Sequence, residues 1–198
     1  FEAIDAVRGM TNVSSGKMGY ALAHAALNAG AEVTLVSGPV CIKPPVAAKC
    51  INVVSARDMM ASVKKEIPHT DIFISVAAVA DYRATKISKQ KIKKTEDDLT
   101  LALTPNPDIL KYVANLKKAP FCVGFAAETE NIERNAELKR RNKKLPLLIA
   151  NKAQDAIGSD ECALILLGDN GKKQLAKAPK TDQARLIINH ISSLYKNK

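Results

Sequence analysis

The chain has 198 residues and carries 30 Lys and Arg against 20 Asp and Glu, a formal charge of +10. An apolar fraction of 46% with 25% charged residues is ordinary globular usage, which excludes disordered, collagen-like and coiled-coil classes and predicts one domain over residues 1–198. No apolar run approaches the roughly 20 residues that span a bilayer, and no charged-then-apolar leader opens the residues at hand, so no membrane association is expected.

The elements follow in chain order. Residues 11–19, Thr-Asn-Val-Ser-Ser-Gly-Lys-Met-Gly, lead into a helix predicted over 18–29 and stopped by Gly30. Backbone amides at such a helix start suit an anion, and the run fits a ligand loop and a helix cap equally well. It is not the GxxxxGK[ST] phosphate loop, because Thr11 stands where Gly is required and Met18 where Ser or Thr is required. Residues 32–37 read as a β-branched strand ending at Gly38-Pro39, and 56–67 as a helix. A longer apolar strand is predicted over 71–78, with small residues that let a ligand approach the backbone. Asp81 then stands beyond the carboxyl end of a strand, although a lone Asp there is more often a turn former. Residues 86–98, rich in Lys, read as a mobile loop whose default meaning is a solvated face.

In the second half Asn106-Pro107-Asp108 reads as a helix start, with Asn106 as cap and Pro107 first in the helix, which then runs over 108–117. Strands follow at 121–125, 147–150 and 162–167. Gly168-Asp169-Asn170-Gly171 predicts a hairpin with a return strand over 172–177. Helices are expected over 131–142 and 181–195. Lys139 and Lys143, four apart, share one helix face and could reach a single polyphosphate; a solvated basic face is the commoner meaning of such a pair. Strands alternating with helices imply an α/β fold, a Rossmann-like parallel sheet flanked by helices, here with an antiparallel C-terminal hairpin extension.

The excess of positive charge points to an anionic partner. A nucleic-acid partner is not expected, since aromatics are only 4% of residues and no recognition module is visible. His24, His69 and His190 offer no nucleophile–base pairing, and Cys41, Cys50, Cys122 and Cys162 lack metal or CxxC spacing. The thiols are read as reduced, in a cytoplasmic protein. Phosphate-friendly loops, a lysine loop and a strand-end Asp suit phosphoryl or nucleotidyl transfer, where positioning and charge neutralisation supply most of the catalysis.

Seven co-linear segments then carry a resemblance. Asp5-x-Val-Arg8, Asn12-x-Ser-Ser-Gly-Lys-Met-Gly19, Leu35-Val-Ser-Gly-Pro39, Ala77-Ala-Val-Ala-Asp-Tyr82, Lys91-Ile-Lys-Lys94, Asn106-Pro-Asp-Ile109 and Gly124-Phe-Ala-Ala-Glu-Thr129 resemble bacterial phosphopantothenoylcysteine synthetase, in order from about residue 3 to residue 195. The resemblance implies a CTP-dependent ligation of 4′-phosphopantothenate to cysteine through an acyl-cytidylate, with magnesium, by a homodimer. It also implies fusion or association with a flavin-dependent decarboxylase. Asn12 matches the residue that holds the acyl-cytidylate, with Ser14, Ser15 and Gly16 beside its phosphate, and Lys91 matches the lysine of a closing flap. Nucleotide contacts match Ser75, Val76, Ala77, Asp81, Lys91, Asn106, Pro107, Asp108, Ile109, Phe125, Lys139 and Lys143. Arg8 and Ala78 match positions tied to activity, and metal ligands are unassigned. Family members usually open with an apolar strand and a glycine-rich turn before the Asp5 segment, which are expected to be missing here, and Ala6 replaces their usual Pro.

Overall fold

A computed structural model describes residues 1–94, 98–156 and 158–196. In chain order the elements are β1 (Glu2–Ala3), β2 (Gly9–Met10), α1 (Lys17–Asn28), β3 (Thr34–Ser37), β4 (Lys49–Asn52), α2 (Ala56–Glu66) with a 3-10 turn Ile67–His69, β5 (Ile72–Ser75), β6 (Tyr82–Ala84), β7 (Leu103–Pro105), α3 (Ile109–Ala114), β8 (Phe121–Glu128), α4 (Ile132–Asn142), β9 (Leu147–Lys152), α5 (Ala153–Ala156), β10 (Glu161–Gly168), β11 (Gly171–Pro179) and α6 (Lys180–Lys196).

The main sheet has the order β11-β10-β9-β8-β5. Strands β5, β8 and β9 are parallel, whereas β10 is antiparallel to both β9 and β11. The mixed, mostly parallel core and the C-terminal hairpin are as the sequence predicts. Alternate residues of the central strands feed two cores. Phe121, Val123, Leu147 and Ile149 face one side and pack with Leu22 and Ala25 of α1 and Ala184, Ile187 and Ile191 of α6. Cys122, Ala126, Leu148 and Ala150 face the other, against Val63 of α2, Leu110 and Val113 of α3 and Ala136 of α4. Covering both faces explains why β8 and β9 read as unbroken apolar runs rather than alternating ones. Gly124 lies where a Cβ would come within 2.8 Å of Leu110 and 2.9 Å of Leu145, so its missing side chain lets α3 settle on the sheet.

Three expectations change. The strand over 32–37 does not join the main sheet: β3 pairs in parallel with β4, a strand of only four residues whose Lys-Cys-Ile-Asn has too little pattern to be foreseen. The strand over 71–78 hydrogen-bonds only as far as Ser75, and 76–80 form an irregular segment. Asn106 is not a cap and Pro107 is not helical. The N-cap of α3 is Asp108, whose side chain accepts from the Lys111 amide, and the helix stops at Ala114. By contrast α2 starts as foreseen, with a reciprocal Ser55–Asp58 capping box. Residues 86–94 and Asp98 of the lysine loop are neither helix nor strand, and 95–97 lie outside the described residues. No helix among the described residues is long and apolar enough to cross a membrane.

Candidate active site

A cleft of about 620 Å³ opens at the carboxyl ends of β3, β5, β8 and β9. This is where parallel α/β sheets hold polar ligands. Its walls are the 11–16 loop with the start of α1, the β3 end through Val40, the 76–80 segment, and Phe125, Ala127 and Asn151. Ser14 and Ser15 lie in the first wall, and Val76, Ala77 and Ala78 in another.

The start of α1 lies in the wall of this cleft. Its N-cap is Gly16, left-handed at φ 77°, and no side chain caps the first turn. The Ser15 hydroxyl is only a distant acceptor for the Lys17 amide, at 3.4 Å. The first turn of this 12-residue helix thus lies in the cleft wall without a side-chain cap on its amides. Asn12 Nδ2 donates to the Ala78 carbonyl at 3.0 Å, tying the loop to the 76–80 segment across the cleft. Gly16 is required twice: its φ is strained for other residues, and a Cβ would meet Val40 Cγ1 at 2.9 Å. Gly16→Ala is expected to cost about 1–2 kcal/mol, the usual penalty of a left-handed residue with a side chain, read as a lower urea midpoint with an unchanged m-value.

A second cluster is made of residues outside the lining of this cleft. Lys139 Nζ is 2.6 Å from Glu128 Oε1 at the end of β8, and Lys143 Nζ is 2.8 Å from Asp108 Oδ2 at the start of α3. The two lysines thus face separate carboxylates rather than one open space. Burial disfavours the charged form of Asp108, but bonds from Lys143 and the Lys111 amide outweigh it, so its pKa falls below the usual carboxylate value. Ile109 is a core residue at 6% exposure, so only its backbone is available to a ligand.

Asn106 has its amide engaged on three sides. Nδ2 donates to Glu2 Oε1 at 3.0 Å and the Ala80 carbonyl at 2.9 Å, and Oδ1 accepts from Arg83 at 3.1 Å. Glu2 Oε1 also accepts the Ala56 amide at 2.9 Å, so this buried carboxylate joins β1, α2 and the loop before α3. Sequence reasoning missed Glu2; a lone acid in a two-residue strand gives no signal. Asp81 is exposed, and its carbonyl accepts the Asn106 amide at 2.7 Å. Ser75 ends β5 opposite Gly124.

Arg8 lies beside the lysine loop. Its guanidinium turns to Asp5 and to the Ile92 carbonyl, and it does not line the cleft. Lys91 is exposed on the neighbouring loop. Among the described residues no group of three or more His, Cys, Asp or Glu is placed to hold a metal ion. All four cysteines are free thiols.

Comparisons with known proteins agree with this architecture. The chain is 47% identical over 199 residues to the coenzyme A biosynthesis bifunctional protein CoaBC of Vibrio vulnificus (strain YJ016), covering 98% of this chain and 50% of that protein. To the protein of the same name from Escherichia coli (strain K12) it is 44% identical over 204 residues, covering 100% of this chain and 50% of the relative. The chain thus spans about half the length of the curated relatives it matches. A crystal structure of the C-terminal domain of a coenzyme A biosynthesis bifunctional protein CoaBC superposes with a TM-score of 0.86 at 36% identity, covering 100% of this chain and 91% of that one. A family model described as the DNA/pantothenate metabolism flavoprotein C-terminal domain matches residues 1–195, and to that family this chain belongs.

Proposed function

We propose that the chain ligates 4′-phosphopantothenate to cysteine at the expense of CTP, through an acyl-cytidylate, in coenzyme A biosynthesis. The observation that carries this reading is the start of α1, where amides without a side-chain cap, the Ser14 and Ser15 hydroxyls and the Asn12 tie converge on one cleft. Family membership and the relatives' part in coenzyme A biosynthesis support it.

In the first step a carboxylate oxygen of phosphopantothenate attacks the α-phosphorus of CTP, and the bond to the β-phosphate breaks with release of pyrophosphate. In the second, the cysteine amine attacks the acyl carbonyl, loses a proton and expels CMP. Two anions must meet in the first step, so positive and dipolar groups do most of the work. The α1 amides with Ser14, Ser15 and Gly16 hold the phosphate of the intermediate, and Asn12 fixes the loop that presents them. Val76, Ala77 and Ala78, with Phe125, provide an apolar wall for the nucleotide, and Ser75 ends β5 just before it. Asp81, the turn Asn106, Pro107, Asp108, Ile109, and Lys139 and Lys143 serve the nucleotide, the lysines exchanging a carboxylate partner for phosphate. Lys91 supplies a cation from the loop. Magnesium, which prefers oxygen ligands, would enter with the triphosphate and supply charge neutralisation there.

The same reading includes a homodimer, supported by apolar side chains left exposed around β6 and β7: Val7, Tyr82, Ile87, Leu99 and Leu103. It includes a fused flavin-dependent decarboxylase, supported by the relatives' bifunctional names and double length. A cytoplasmic setting is supported by the four free thiols. Incubation with CTP, Mg²⁺, 4′-phosphopantothenate and cysteine is expected to release pyrophosphate and CMP in equal amounts. No pyrophosphate from the longest natural chain carrying this domain would overturn the proposal.

A further inference from the structure

The carboxylate of Asp5 accepts five hydrogen bonds outside the cleft. Oδ1 accepts the Val7 and Arg8 amides, each at 2.8 Å. Oδ2 accepts Arg8 Nε at 3.0 Å, Arg8 Nη2 at 2.6 Å and the Ile92 amide at 3.1 Å. Arg8 Nη2 in turn donates to the Ile92 carbonyl at 2.8 Å. Residue 92 is therefore held by both of its backbone polar groups from a turn more than 80 positions away in sequence. The turn itself is closed by the Ile4 and Asp5 amides on the Arg8 carbonyl, and the Ser88 amide adds a bond to the Ile4 carbonyl. The Asp5 side chain has no exposed surface, whereas Arg8 is about half exposed, at 47%. The Arg8 guanidinium and the surrounding amides hold the carboxyl well below the usual range, so it is ionised wherever the protein works.

This clasp sits at one point in a segment that is neither helix nor strand. Lys91 is the residue immediately before the clasped one. Fixing the amide of residue 92 fixes the peptide plane that ends at the Lys91 Cα, and so limits the points from which the Lys91 side chain can start. We propose that Asp5 is a positioning residue for the ligation: together with Arg8 it anchors the lysine loop at Ile92 and so sets where the Lys91 ammonium can reach. The proposal rests on the role given to Lys91 in the reading above.

The test is a double-mutant cycle on the first half-reaction, followed as pyrophosphate release by the purified protein. Asp5→Asn replaces one acceptor oxygen by an N–H donor facing amides or the guanidinium, and it is expected to slow the step by roughly 10- to 100-fold with the CTP KM little changed, the scale of a misplaced group. Once Lys91 is already Gln, adding Asp5→Asn should cost nothing more, because the two residues act as one unit. Trypsin should also cut the 89–94 stretch faster in Asp5→Asn. If Asp5→Asn does not fold, Arg8→Gln serves the same cycle: it opens the bond to the Ile92 carbonyl and leaves Asp5 its backbone partners. An additive double mutant, or an Asp5→Asn rate equal to wild type, overturns the positioning role alone. A Lys91→Gln rate equal to wild type overturns the assignment of Lys91 and the positioning role with it.

Discussion

Lys91→Gln is expected to slow acyl-cytidylate formation by roughly 10²–10³-fold, the usual effect of removing one group that stabilises charge in a transition state. When the intermediate is supplied ready-made, cysteine should still displace CMP at an unchanged rate. The asymmetry follows from charge. In the first step a carboxylate approaches a triphosphate, and every cation aimed at the meeting point lowers the barrier. In the second a neutral amine attacks a carbonyl, and the loop cation has less to offset. Glutamine keeps a comparable length and two N–H donors but carries no charge, so the substitution isolates the electrostatic part. Lys91 is exposed, and surface replacements of this kind usually change stability by less than about 0.5 kcal/mol, so unfolding does not compete as an explanation. Rapid-quench measurement of pyrophosphate in the first step and CMP in the second separates the two rates. Equal loss in both would contradict the role.

The same loop shows what a sequence can and cannot disclose. The main sheet was legible because β8, β9 and β10 carry their apolar character locally, and a buried strand with both faces covered announces itself as a run. The start of α1 was half legible: Asn, Ser and Gly before a helix point to its amides, but the absence of a side-chain cap and the bond from Asn12 to Ala78 depend on contacts that the local sequence does not show. Glu2, Asp5 and Ile92 gave no signal of their partnership, since their partners lie 54, 87 and 84 residues away in the chain. A short strand such as β4 has too few residues for a period. Lys139 lies in α4 and Lys143 is the C-cap just beyond it, and their carboxylate partners come from the end of β8 and the N-cap of α3, which spacing along α4 could not reveal. Motifs that match a family locate such residues, while their roles depend on contacts between distant segments.

Asn12→Asp is expected to let the acyl-cytidylate form but to hold it poorly. Asn12 Nδ2 donates to the Ala78 carbonyl at 3.0 Å, and an aspartate there has no proton to give at neutral pH. Carboxylate and carbonyl then oppose each other across the cleft, and the 11–16 loop loses its tie to the 76–80 segment. A new negative charge also stands beside the amides proposed to take the phosphate. Two like charges about 4 Å apart repel by roughly 1–4 kcal/mol between bulk water and a protein surface, which weakens retention of the intermediate by roughly 5- to 1,000-fold. Asn12 is exposed, so water can resolvate the carboxylate and the fold should survive with little change in its urea midpoint. The expected signature is pyrophosphate release with little enzyme-bound acyl-cytidylate recovered after gel filtration, and a yield of amide that falls as cysteine is lowered. Asn12→Ser, which keeps a donor without the charge, should recover part of the retention. Retention as low in Asn12→Ser as in Asn12→Asp would assign the effect to the length and amide geometry of Asn12, and a variant that forms no intermediate would place Asn12 in the first step instead.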